Sequence, residues 1–322
     1  MIEALVVGRV GVDLTPATPR TTLAAAESFV RAVGGFAGNI ATGLTRLGIR
    51  TAVLSAVGDD GHGDHVREFL AGESVDVGRL VTRPGTRTQV AFFEAWPPDR
   101  FPVTFYRPAP APETLLAVDD LPTALLAETA LVILSGALLA AEPARSTVLR
   151  ILADRRRSQE QRRVSWTFLD IDWRPALWDR PDEAPGLVEQ AAALSDVVIG
   201  SDEEFAAARM RPEIRTGGPS MIVLKHGPDG VSLLTARGRD LIPAIPIDVV
   251  CGAGSGDALT AAFGAGLLRG LDPLVAVARG SAAGAIVASR LMCSTAMPTA
   301  GEIDRLLAVG SGATLDRQTA FP

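Results

Sequence analysis

Lysine is almost missing from this chain. Lys225 is the only one among 31 basic residues, and arginine supplies the rest. We read that first as a coding bias. Cysteine is nearly as scarce: Cys251 and Cys293 cannot build a disulfide framework, so a reducing, cytoplasmic setting is expected. No apolar run reaches the ~18 residues of a membrane helix. The opening MIEALVVGRVGVDL lacks a basic segment ahead of an apolar one, so no signal peptide is read there. No basic stripe appears and the formal net charge is −6, which speaks against nucleic acid or an anionic membrane as partner.

What the chain does have is apolar mass: 47% of 322 residues, ample for one large α/β domain with an accessory piece, or for two average domains. Short apolar runs at 4–7, 51–57, 130–135, 165–170, 196–200 and 221–225 are spaced by helical stretches, among them 40–47, 66–70 and 258–292. That alternation predicts a mostly parallel sheet with crossover helices. A second strand system, residues 9–33 with 86–107, interrupts it. It is expected to form a small sheet over the carboxyl ends of the main strands, where open α/β sheets bind ligands. An edge hairpin of the main sheet is the alternative. We expect one domain over 1–308 and a flexible, aperiodic tail over 309–322.

The most informative stretch is 248–264, DVVCGAGSGDALTAAFG. Gly252, Gly254 and Gly256 crowd into five positions and end on Asp257, and an Ala-rich helical run follows at once. Small residues let several backbone N–H groups converge, and a helix N-terminus behind them adds about half a positive charge. With a carboxylate where loop meets helix, this reads as a phosphate cradle with a built-in base, for phosphoryl transfer onto an alcohol. It is not a P-loop, because no Gly-Lys-Ser/Thr follows, nor a dinucleotide fingerprint. An Asp at a helix start is otherwise only a cap. His62 and His65 are read as residues of a polar loop, not as a metal site.

Gly34-Gly35 followed by Asn39, with Gly254-Ser255-Gly256-Asp257 far downstream, resembles the two signatures of the ribokinase-like (PfkB) carbohydrate kinases, and the resemblance runs from Gly8 to about Ile303. It implies a three-layer α/β/α sandwich with a small β-sheet lid, ATP and Mg²⁺. In that frame Asp257 is the general base. Gly254, Ser255 and Gly256 offer N–H groups to the transferring phosphoryl group. Asp13, Gly34, Gly35 and Asn39 hold the sugar, although Asp13 alone would be a turn residue and Asn39 a helix cap.

Two more stretches bear on the acceptor: FYRPAPAP, with Tyr106 and Arg107, and DIDWRPALW, with Asp170, Asp172, Arg174 and Trp178. An Arg at each of two distant places suits a carboxylate; surface pairs with acidic side chains are the alternative. Their wording resembles the 5-dehydro-2-deoxygluconate kinases of myo-inositol breakdown within the family. Other expectations are a 2-keto-3-deoxygluconate kinase, a neutral-sugar kinase of the fructokinase or ribokinase type, and, remotely, a binding protein without turnover.

The resemblance also implies nucleotide contacts at Lys225, Gly227 and Gly230, at Gly252 and Ala253, and at Ala283, Ala288 and Met292; the last three fit plain helix packing equally well. Glu204 resembles the Glu of an Asn-x-x-Glu motif that places Mg²⁺ through water, but Ser201 stands where the Asn belongs. Cys251 stands where many relatives carry an Asp for a monovalent cation, which leaves K⁺ dependence open. A lid with an apolar face implies a homodimer or larger homo-oligomer.

Overall fold

The computed structural model describes residues 1–121, 123–158 and 165–310. Most of the expected tail lies outside them; α9 (Ala300–Gly310) is the last described element.

Among the described residues the main sheet has nine strands. They are β1 (Ala4–Val7), β4 (Thr51–Gly58), β5 (Leu80–Arg83), β8 (Leu131–Ser135), β9 (Trp166–Asp170), β10 (Val197–Ser201), β11 (Met221–Lys225), β12 (Val231–Thr235) and β13 (Gly238–Ile242), in spatial order β13-β12-β11-β10-β9-β8-β1-β4-β5. From β11 to β5 all pairs are parallel; β12 and β13 close one edge as an antiparallel hairpin. The parallel strands read as continuous apolar runs because both faces are covered. In β8, Leu131 and Ile133 join one core and Val132 and Leu134 the other. On the first face lie α1 (Phe36–Arg46), α2 (Gly61–Gly72), α7 (Ser255–Leu268) and α8 (Pro273–Ala288); on the second lie α4 (Ala144–Ser158), α5 (Ala184–Ala193) and α6 (Asp202–Ala207). This is the expected three-layer sandwich.

Helix α7 is apolar on nearly every side, as a helix packed all round must be. Its small residues set how close it lies. A Cβ at Gly264 would come within 2.8 Å of the Leu131 side chain on the sheet, and one at Gly266 within 2.7 Å of Ala276 on α8.

A separate four-stranded sheet, order β3-β2-β6-β7, is built from β2 (Gly11–Pro16), β3 (Phe29–Gly34), β6 (Val90–Phe93) and β7 (Val103–Tyr106). It is not an edge hairpin of the main sheet. Its Ala32 and Phe93 pack with Cys251, Met292 and Cys293, which sets the small sheet against the glycine loop before α7.

The antiparallel strands β12 and β13 and the edge strand β5 are absent from the sequence reading. In β13 (GRDLI) three of five residues are exposed and Arg239 and Asp240 interrupt any apolar run, so the signal that marks the buried strands is missing.

Candidate active site

The parallel register brings chemistry to one edge. Ser135 pairs with Asp170, and Ser201 with Lys225, at the carboxyl ends of four adjacent strands. Beyond β9 the chain turns through Asp172, whose φ of 41° is left-handed for a non-glycine residue. Its carboxylate holds that turn: Arg9 Nη2 donates to both oxygens at 3.2 and 3.0 Å, Ser135 Oγ donates at 2.6 Å, and Arg174 Nη2 lies 3.2 Å from Oδ1. Burial pushes this carboxyl up, but the two guanidinium groups and the serine bring it below the ordinary range.

Glu204 stands beside this pair on α6. It forms a capping box with Ser201, so the residue in the Asn position does the work of a helix cap. Glu204 also accepts from Trp173 N–H at 3.1 Å and lies 3.5 Å from Lys225 Nζ. Lys225 is 3.5 Å from Asp170, to which Thr260 Oγ1 donates at 3.1 Å. Burial drives Asp170 up to about 7, against the pull of Lys225 and with help from Glu204, Asp172 and Asp257. Burial works against the Lys225 charge, yet Asp170 and Glu204 raise it, so the ammonium stays ionised.

Helix α7 begins differently. Its N-cap is Gly254, left-handed at φ 81°, and no side chain caps it. Helix geometry leaves the first N–H groups, at Ser255 to Asp257, without i−4 partners. A Cβ on Gly254 would press on Cys293 at 3.1 Å, and one on Gly256 would approach Lys225 Nζ at 3.3 Å. The lone ammonium therefore lies against this helix start. Asp257, half-buried in the first turn, accepts from Asn39 Nδ2 at 2.7 Å, and Asn39 Oδ1 accepts from Ser294 Oγ at 2.7 Å. Burial lifts the Asp257 carboxyl to about 6; the Asn39 bond resists, Asp172 adds to the lift, and Arg174 and Lys225 oppose it.

Asp13, on β2, is 8% exposed and also raised to about 6, chiefly by burial, with a Cys293 hydrogen bond and Arg9 pulling the other way. Gly34 is obligatory beside it: a Cβ there would sit 1.9 Å from Asp13 Oδ2. Gly35, at φ 83°, leads into α1 close to the Arg9 carbonyl.

Other expected residues stand apart from this network. Arg107 is paired with the buried Glu113 at 2.8 Å. Tyr106 is 65% exposed and packs edge-on to Phe92. Gly227 opens the turn between β11 and β12, and Gly230 closes it where a Cβ would strike the Ile242 carbonyl at 2.2 Å. Gly252 packs on Phe101, and the Ala253 N–H reaches the Cys251 thiol. Ala283 is enclosed among helices, the Ala288 carbonyl accepts from the Val250 and Cys251 N–H groups, and Met292 packs toward the small sheet. Sequence reasoning passed over Arg9, Ser135, Thr260, Cys293 and Ser294 as site residues, and it named Asp170 only within the stretch that bears on the acceptor. Arg9 had a signal: a charge inside the apolar run VVGRVGV needs a buried partner.

Sheet, covering helices and helix-start carboxyl together fit an α/β enzyme that transfers phosphoryl groups. The family model described as pfkB family carbohydrate kinase matches residues 1–300, and the chain belongs to that family. It is thus a phosphotransferase acting on a sugar hydroxyl. The chain is 30% identical to the 5-dehydro-2-deoxygluconokinase of Geobacillus thermodenitrificans, over 95% of this chain and 93% of that protein. It is also 30% identical to the protein of that name from Clostridium perfringens, over 94% and 91%. Among solved structures, a putative Ribokinase II from E. coli superposes with a TM-score of 0.83 at 19% identity, covering 96% of this chain and 100% of that one. Fructokinase from Vibrio cholerae O395, in its fructose, ADP and calcium ion bound form, gives 0.80 at 22% identity, covering 95% and 99%. Those structural likenesses establish the ribokinase-like fold.

Proposed function

We propose that this kinase transfers the γ-phosphoryl group of ATP to the terminal (C6) hydroxyl of 5-dehydro-2-deoxy-D-gluconate, a step of myo-inositol breakdown. The observation that carries the transfer is Asp257 at an uncapped helix start, oriented by Asn39 at 2.7 Å. Asp257 accepts the proton of the attacking hydroxyl, and a carboxyl near 6 is ionised at neutral pH yet still basic enough to take it. The N–H groups of 254–256, at a helix start that no side chain caps, and the adjacent Lys225 ammonium receive the charge that builds on the phosphoryl oxygens. Asp13, Asn39 and the backbone at Gly34 and Gly35 hold the sugar.

The residues fit Mg²⁺. Among those described, no cluster of three or more His, Cys, Asp or Glu side chains forms a metal cage. Glu204 is already bonded, so it would reach the ion through water, as suits a cation that keeps its waters and binds phosphate. When bound, Mg²⁺ neutralises phosphate charge. The Cys251 thiol, pushed up by burial, is neutral and lends no charge to a monovalent cation.

The choice of acceptor rests on the names of the relatives and on Arg174, which is 44% exposed beside Asp172. One observation favours a neutral sugar instead: Arg174 already lies between Asp172 and Glu204, and Arg107 is spent on Glu113. Coupled ADP-release assays on a panel of sugar acids and neutral sugars decide. Turnover of 5-dehydro-2-deoxygluconate above all others is expected; fast fructose phosphorylation with none of the acids would sink the proposal.

We further propose that the small sheet is a lid and that a second copy covers its outer face. Phe29 and Tyr106 are 38 and 65% exposed there, both edge-on to Phe92. A strictly monomeric species in micromolar light scattering would overturn this. Among the described residues no helix is long and apolar enough to cross a membrane.

A further inference from the structure

Ser294 opens a single 3₁₀ turn, Ser294–Ala296, shortly after α8 and outside every motif that marks the site. It is fully buried, and its hydroxyl donates to Asn39 Oδ1 at 2.7 Å. The other end of that amide donates from Nδ2 to Asp257 Oδ2, also at 2.7 Å. The preceding residue, Cys293, sets its thiol on the Asp13 carboxyl and lies against Gly254. One short turn therefore touches the glycine loop, one acid directly and the other through an amide.

An asparagine amide has nearly the same shape at both ends but opposite hydrogen-bonding character. Its terminal torsion is soft, so α1 fixes the place of Asn39 without fixing the plane of its amide. Turned over, Oδ1 would face the Asp257 carboxylate and repel it. The Asp257 carboxylate, which can only accept, selects the orientation, and the Ser294 hydroxyl completes it by donating to Oδ1 at the other end.

We propose that Ser294 is a positioning residue for phosphoryl transfer: its hydroxyl holds the Asn39 amide so that Nδ2 aims Asp257 at the acceptor hydroxyl. The inference rests on the reading of Asp257 as the base. Removing the hydroxyl leaves Oδ1 buried without a donor, which is worse than the loss of one solvated bond. The amide is then held from one end only, its plane is no longer fixed, and Asp257 loses its aim.

The test is steady-state kinetics of Ser294→Ala, Asn39→Ala and the double variant, with ATP and the acceptor turned over fastest in the panel above. Ser294→Ala should lower kcat roughly tenfold to a hundredfold while both KM values stay within about twofold. Ser294→Thr, which keeps a hydroxyl, should retain most of kcat. The double variant should be no slower than Asn39→Ala alone, because the serine acts only through the amide. Full kcat in Ser294→Ala, or losses that multiply in the double variant, would overturn the role. Should thermal melting show Ser294→Ala unfolded, Ser294→Cys is compared with Ser294→Thr: the thiol is the weaker donor, so Cys must be slower, and equal rates overturn the role. Asp257→Asn separates the two readings. An active Asp257→Asn removes the base itself; an inactive one beside a multiplicative double variant removes only Ser294.

Discussion

Asp172 and Asp257 stand on opposite sides of one site and are treated in opposite ways. Asp172, at the strand ends, is gripped by Arg9, Ser135 and Arg174 and held below the ordinary carboxyl range despite burial. Asp257, at the helix start, has one amide for a direct partner and rises to about 6. Asp13, with a thiol for a neighbour, rises to about 6 as well. The strand-end side is a closed ion network that fixes backbone and cations. On the helix-start side the direct partners of both carboxyls are uncharged and burial dominates, which suits a carboxyl that must take up a proton near neutral pH and release it again.

The strongest way to break this contrast is to neutralise each acid in turn. Asp257→Asn should lower kcat by about 10²–10⁴-fold, the range for a lost general base, with ligand binding by calorimetry largely kept. Asp172→Asn should act on the fold. It leaves Arg9, only 5% exposed, without its counter-charge, a loss of about 3–5 kcal/mol that thermal melting reads as a lower Tm. Matching melting temperatures for the two variants would erase the difference. A smaller effect sharpens it: the rate must fall about tenfold per pH unit below the point where Asp257 protonates, so kcat/KM should have an acid limb near pH 6. A limb well below the ordinary carboxyl range would mean that Asp257 is not raised.

The sequence announces the helix-start side by its own chemistry and offers residues of the strand-end side without their pairing, for a physical reason. A glycine cluster before an apolar helix is local, and so is its chemistry: Gly254 must be left-handed, and Asp257 lies three residues on. The strand-end network is assembled by parallel register between residues far apart. Arg9 and Asp172 are separated by 163 positions, and nothing local joins them. Asp170 sits at the end of an apolar strand, and its place beside Ser135 and Lys225 shows only when β8, β10 and β11 are laid beside it. Ser294 is equally silent, since its partner on α1 lies 255 residues away. Apolar periodicity found the inner parallel strands because both their faces are buried, and missed β5 and β13 because an edge strand need not be apolar. Arg107 shows the opposite failure. Its spacing from Arg174 invited a shared ligand, but a buried carboxylate six residues on, Glu113, takes its guanidinium.

The smallest expected effect turns the comparison into opposite signs. Asp13 has an ordinary value of 3.8 and about 6 in the fold, so the folded state holds its proton more tightly than the unfolded chain does. Stability therefore falls as pH rises from about 4 to about 6, and above that the full penalty is present. Asp13→Asn removes the penalty, so in the ligand-free protein Tm should rise at about pH 8 and the gain should vanish near pH 4. The shift of about two units bounds the gain at about 3 kcal/mol, a few degrees for a chain of this size. For Asp172 the sign reverses. Its depressed value contributes stability above the ordinary carboxyl range and loses it as pH falls through the folded value, so Asp172→Asn should be costly at about pH 8 and progressively less so in acid. Melting curves of both variants at the two pH values read the contrast directly. A gain in Asp13→Asn that persists unchanged in acid would assign it to packing beside Gly34, where a Cβ has no room, and not to the charge.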